Sequence, residues 1–199
     1  MAERDPISGG DALRKIIDCL WTAPENAEWT PKTAVIPLDD LREWMNSGDI
    51  EIAGFAYHMM GDARFKVQPP LTVEEYVDFI KRYYERGLRE NSDGDWSNNR
   101  FSAGSDLVNI FARLWRDQQV PRALLSDLKN WLGVLYKSVD EEIRHSVVQA
   151  TLEHLVEQKP IRDFFSDWRQ DPVLRIAYDE ACLWPDGGGS TLLGKSSIS

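Results

Sequence analysis

Few residues in this 199-residue chain are well suited to chemistry, since it holds three histidines and two cysteines. Glu142 and His145 have the Glu-x-x-His spacing with which helices of carboxylate-bridged di-iron proteins present two ligands to a bundle core. Such a centre needs a second motif of this kind and two more glutamates, and the chain has no second Glu-x-x-His. The GxGxxG, HExxH and GxSxG motifs are also missing. We therefore predict no catalytic residue, no metal and no cofactor, and favour a non-enzymatic protein over an enzyme.

The segment from Asn91 to Phe101, NSDGDWSNNRF, has a composition that suggests a function. Its acids and glycine resemble a calcium loop, but aligning Gly94 with the required glycine places Arg89 and Arg100 at the first and last ligand positions. Calcium binding is therefore disfavoured. One interpretation is a structural connection in which Trp96 and Phe101 pack inward. The other is a recognition loop, because Trp and Arg are enriched in binding hot spots. In that case the partner-binding residues are Asp93, Asp95, Trp96 and Arg100.

Arg144 interrupts an otherwise apolar helical arc, where an unpaired guanidinium would be costly to bury. One interpretation is an ion pair with an acid of a flanking helix, for which the candidates are Asp106, Asp163 and Asp167. A second is that the side chain extends past the apolar surface to water. A third is an anion-binding pocket around Arg144.

The helix that carries Arg144 is predicted to be central to the fold. From Ser138 to Glu157, a period of 100° per residue places apolar residues over about two thirds of the circumference. These residues are Ile143, Val147, Val148, Ala150, Thr151, Leu152, Leu155 and Val156. Ser138 and Glu141 have capping-box spacing, and they predict the helix start. The run D-E-E-I-R followed by an aliphatic helix resembles the second helix of a HEAT-type repeat, and this resemblance implies stacked helical hairpins and no particular activity.

Helical periodicity in the rest of the chain predicts an all-α protein of about nine helices in one domain, an irregular array of antiparallel hairpins. The boundaries are a flexible lead over 1–10, the domain over 11–184 and a disordered tail over 185–199. The other helices are predicted at 13–20, 38–45, 49–60, 72–90, 102–115, 121–135, 160–168 and 171–184. Residues 23–37 are predicted to form a loop with at most an isolated extended segment, Thr33 to Ile36.

Composition limits the classes of partner. The net charge is −10, without strong clusters of Lys and Arg, so nucleic-acid binding is disfavoured and a basic protein partner is favoured. No apolar run is long enough to cross a bilayer, and Cys19 and Cys182 are expected to be unpaired thiols in a cytoplasmic protein. Two hypotheses follow: a non-enzymatic protein-binding protein of adaptor or immunity type, or a ligand-binding protein or enzyme with a polar pocket at Arg144. The oligomeric state is not indicated.

Overall fold

A computed structural model describes residues 34–62 and 65–183, and within them the predicted all-α class is confirmed. The described residues form eight helices and two short strands. The strands are β1 (Ala34–Pro37) and β2 (Phe65–Gln68). The helices are α1 (Leu38–Met45), α2 (Ile50–Gly61), α3 (Val73–Glu90), α4 (Arg100–Arg116), α5 (Arg122–Tyr136), α6 (141–156), α7 (Lys159–Phe165, continued by a 3-10 turn Ser166–Gln170) and α8 (Leu174–Leu183).

The described residues form two compact units. The first comprises the residues up to Tyr83 together with Ser92–Asn98, and the second comprises Tyr84–Asn91 and the residues from Asn99 onward. Helix α3 therefore contributes to both. The predicted first helix at 13–20, the lead 1–10, the tail 185–199 and Cys19 lie outside the described residues.

In the first unit, β1 and β2 pair in parallel, with Ala34 opposite Phe65 and Pro37 opposite Gln68. The prediction of an isolated extended segment in a loop is therefore wrong. Parallel strands need a crossover connection, and α1 and α2 occupy the chain between these two. The partner strand was overlooked because its four residues are too short to show a clear period.

Capping explains where several helices begin. Thr72 and Glu75 form a capping box at the start of α3, since Glu75 N donates to Thr72 Oγ1 over 3.2 Å and Thr72 N donates to Glu75 Oε2 over 3.3 Å. At the start of α4, Asn99 Oδ1 accepts from Phe101 N and Ser102 N, and Asn91 Oδ1 accepts from Arg100 N. The cap of α6 is Asp140 rather than Ser138.

In the second unit, α6 is buried as predicted: all eight residues of its apolar arc are inaccessible to solvent. Its middle, Val147–Leu152, is π-helical, whereas Glu141–Ser146 and Glu153–Val156 are α-helical. A Cβ at Gly104 of α4 would overlap Ala150, so α4 and α6 pack with their backbones close together. Ser146, which lies outside the predicted apolar arc, is also buried and is 3% exposed.

Candidate functional site

The loop Ser92–Asn98, called the acidic loop below, is held by a carboxylate of α2. Trp96 N donates to Glu51 Oε2 over 3.0 Å, and Ser97 N donates to Glu51 Oε1 over 2.9 Å. A Cβ at Gly94 would overlap the same carboxylate, so glycine permits its close approach. We call this arrangement the Glu51 clamp.

The electrostatics of Glu51 follow from this geometry. Partial burial raises its pKa, but hydrogen bonds from Ser97, Trp96 and Asp95 have the larger combined effect and bring the pKa below its ordinary value. Glu51 therefore favours its charged form, which accepts these hydrogen bonds. Sequence reasoning missed this residue because nothing in the sequence pairs it with a loop more than 40 positions later.

Trp96 packs inward within the first unit. Its ring is edge-on to Phe55 at 5.5 Å and to His58 at 6.0 Å between centroids. Its carbonyl accepts from Tyr83 Oη over 3.2 Å, and a Cβ at Gly54 would overlap this carbonyl. This packing agrees with the structural interpretation for Trp96. The half-buried indole of Trp96 anchors the acidic loop, and other residues of the loop are more exposed.

The exposed part of the acidic loop consists of Asp93, Gly94 and Asp95. Ser97 Oγ accepts from Gly94 N over 3.3 Å and donates to Ser92 Oγ over 2.7 Å. The loop backbone is therefore tied both to itself and to Glu51. The two aspartates that sequence reasoning proposed for partner binding lie together at its exposed tip.

Arg100, the fourth proposed residue, belongs to the second unit. Its Nε donates to Leu88 O over 2.8 Å, and its N donates to Asn91 Oδ1 over 3.2 Å. Its guanidinium lies 3.6 Å from the carboxylate of Glu142. These contacts give Arg100 a role in joining the end of α3 to the start of α4. The prediction that Phe101 packs inward is wrong, since it is 60% exposed.

Arg144 is exposed, which agrees with the interpretation in which its side chain extends to water; a guanidinium enclosed in an ion pair or a pocket is wrong. It lies over the ring of Tyr136, at 5.5 Å from the centroid. A helical wheel with constant winding placed Arg144 among Thr151 and Leu155. The π-helical segment Val147–Leu152 has more residues per turn than an α-helix. Residues before and after it therefore do not face the directions that a regular helical wheel predicts.

The three acids proposed as partners for Arg144 are placed elsewhere. Asp163 pairs with Lys159, and Asp167 pairs with Lys129. Asp106 is half-buried on α4. None forms an observed ion pair with Arg144 within residues 34–62 and 65–183.

The buried cation of the second unit is Lys129, which is 6% exposed. Its Nζ donates to both carboxylate oxygens of Asp167 over 2.9 and 2.8 Å, and to Phe164 O over 3.0 Å. It also lies 4.3 Å from the centroid of the Phe164 ring. All three ammonium hydrogens thus have acceptors, as a buried charge requires. This arrangement is structural: it joins α5 to α7 and to the 3-10 turn that continues α7.

The Glu-x-x-His pair does not form part of a buried ligand set. Glu142 and His145 are both exposed. Across the part of the chain that the structure describes, no three His, Cys, Asp or Glu side chains are grouped as metal ligands would be. None of the described helices is both long enough and apolar enough to cross a membrane.

Comparisons with known proteins give no further assignment. No family model matches the chain, and no curated protein or solved structure matches it significantly. The sequence does contain the GxxxxGK[ST] spacing of phosphate-binding loops, GSTLLGKS from Gly189 to Ser196, outside the described residues. Such a loop follows a buried strand, and the preceding WPDGG has no apolar strand pattern. The spacing alone therefore does not support nucleotide binding.

Proposed function

We propose that this protein is a non-enzymatic binding protein whose first unit presents the acidic loop to a basic protein partner. The observation that carries the proposal is the Glu51 clamp. It directs loop N–H groups inward and leaves Asp93 and Asp95 exposed at the tip. A loop ordered before binding loses less conformational entropy on association, which favours affinity.

The distribution of charge supports the same proposal. The described residues of the first unit include eleven acidic and four basic side chains, a difference of seven negative charges. Those of the second unit include fifteen acidic and thirteen basic side chains, a difference of two. An acidic surface accelerates association with a basic partner and disfavours an acidic one. The alternative, an anion pocket at Arg144, has less support because that side chain is exposed.

The experiment compares the proteins captured by the parent with those captured by the double variant Asp93→Asn/Asp95→Asn. Isotope-labelled mass spectrometry quantifies the captured proteins, and crosslinking locates the contact. We expect a basic protein that crosslinks to the acidic loop, and whose capture falls with the double variant and with added salt. Asp163→Asn/Glu157→Gln is the matched control, because it removes two exposed carboxylates from the second unit. Equal losses with both variants would show only a general charge effect and would contradict the proposal.

A further inference from the structure

Helix α8 has an exposed apolar strip on the side opposite its packed face. Val173, which precedes the helix, is 44% exposed, while Ile176 is 56% and Leu183 59% exposed. With Glu180, these residues have the alternating three- and four-residue spacing of a coiled-coil seam. We call Val173, Ile176, Glu180 and Leu183 the α8 strip.

The orientation of the strip is fixed by the rest of the second unit. Ala177, Tyr178 and Ala181 are buried on the opposite face of α8. Asp171 caps the helix, because its Oδ1 accepts from Val173 N over 2.9 Å and from Leu174 N over 3.1 Å. The helix therefore cannot rotate to bury the strip without losing this packing. A rigid apolar seam in water is typical of a surface that binds another helix.

Acidic side chains border the strip. Glu180 lies within it and is exposed. Arg175, an exposed cation of the same helix, is four residues before Asp179 and therefore lies beside Asp179 rather than Glu180. Asp179, beside the strip, lies 3.5 Å from Arg169. Glu153 of α6 is close enough to Glu180 for their charges to interact. A second copy of this chain would add another Glu180 to the same seam, and like charges are destabilising there. The charges instead favour a basic occupant.

We propose that the α8 strip binds an amphipathic helix of a partner protein, with apolar residues at three- and four-residue spacing and Lys or Arg beside them. The apolar residues contact Val173, Ile176 and Leu183, and the cations meet Glu180 and its acidic neighbours. This site is separate from the acidic loop and does not depend on the function proposed for that loop.

The test uses the full chain and a labelled helical peptide of about two heptads, with leucine at the seam positions and lysine beside them. A second peptide replaces every lysine with glutamate. Fluorescence anisotropy should show saturable binding of the lysine peptide to the parent and much weaker binding of the glutamate peptide. Hydrogen exchange should show that the lysine peptide protects α8.

Variants assign the contact. Ile176→Lys should weaken binding of the lysine peptide at least about tenfold, which corresponds to about 1.4 kcal/mol. Val134→Lys is the matched control, because Val134 is an exposed apolar residue of α5, 69% exposed, and its variant should bind like the parent. Glu180→Gln should weaken binding of the lysine peptide and strengthen binding of the glutamate peptide, because it removes an attractive charge for the first and a like charge for the second. Circular dichroism melts confirm that the variants are folded.

Several outcomes would overturn the proposal. Equal binding of the two peptides would exclude a basic occupant, and equal binding by the parent and Ile176→Lys would exclude the α8 strip. A parent that sediments as a dimer, and becomes a monomer with Ile176→Lys, would assign the strip to a second copy. If α8 is already protected from exchange in the free parent, and Leu193→Asp removes that protection, the occupant is this chain's own C-terminal segment.

Discussion

At the scale of single residues, the ion pair of Lys129 with Asp167 joins a buried cation to an exposed anion, since Lys129 is 6% exposed and the Asp167 side chain 57%. One interpretation of the sequence was a buried ion pair with Asp167 among the candidate acids, but it assigned the cation to Arg144 rather than to Lys129. The pattern around Lys129 shows Leu125, Leu128 and Leu132 as the core face of α5. Nothing in the sequence shows that the adjacent lysine is covered too, because the residues that cover it are 35 to 38 positions away.

The two partners of this ion pair should respond unequally to mutation. Asp167→Ala leaves a buried ammonium with Phe164 O as its hydrogen-bond acceptor, and should lower the free energy of unfolding by about 1–3 kcal/mol. Lys129→Met leaves an Asp167 side chain that is 57% exposed and can be hydrated, so we expect a change below about 1 kcal/mol. Urea unfolding of both single variants and the double variant measures this. A double variant less stable than Asp167→Ala would contradict the explanation.

Glu51 provides the second prediction at this scale. Glu51→Gln replaces one carboxylate oxygen with an amide donor that faces the N–H of Trp96 or Ser97, so we expect a loss of about 1–3 kcal/mol at neutral pH. The pKa of Glu51 is lowered in the fold, so its contribution is present above the ordinary value of 4.5 and is lost as the pH falls through the folded value.

The measurement for Glu51 is thermal unfolding with Trp fluorescence, because Trp96 packs beside the clamp. Glu43→Gln is the control, since Glu43 is exposed on α1 of the same unit. If Glu51→Gln melted like this control at pH 7, the clamp would not hold the loop.

At the scale of elements, helical periodicity predicted the described helices because most of them have one buried and one exposed face. All eight apolar residues chosen for α6 are buried. Periodicity did not predict the π-helical turn at Val147–Leu152, because a wheel assumes constant winding. It also missed the pairing of β1 with β2, since two four-residue strands separated by two helices leave no local signal.

The close packing of α4 against α6 can be tested at Gly104, where the two backbones approach each other. Alanine normally stabilises a helix interior by up to about 1 kcal/mol relative to glycine. Gly104→Ala should nevertheless destabilise the protein by about 1–3 kcal/mol, because its methyl group would overlap Ala150, including backbone atoms that cannot move freely. Gly61→Ala, at the end of α2 with open space around it, is the matched control and should be neutral or slightly stabilising. A stabilised Gly104→Ala variant would show that the two helices separate easily.

At the scale of the whole molecule, the carboxylates influence stability in opposite directions as the pH changes. The pKa values of Glu51, Glu75 and Asp171 are lowered by hydrogen bonds, with ion pairs also contributing for Glu75 and Asp171. These groups stabilise the fold above their ordinary pKa values and lose that effect in acid. Glu153 is different: partial burial is the largest cause of its raised pKa, and the charge of Glu180 adds to it against the effects of His154 and His145.

Removing the charge of Glu153 should therefore stabilise the molecule at neutral pH. Because the pKa of Glu153 is raised in the fold, its contribution to stability is fully present below the ordinary value of 4.5 and is lost as the pH rises through the folded value. Glu153→Gln should raise the melting temperature at pH 7, with a smaller difference at pH near 3, where the glutamate is protonated in both states. Glu75→Gln is the opposing control: its lowered pKa predicts a lower melting temperature at pH 7 and a smaller effect in acid. If Glu153→Gln lowered the melting temperature at pH 7, burial and the charge of Glu180 would not govern this site, and attraction to His145 and His154 would be the stronger effect.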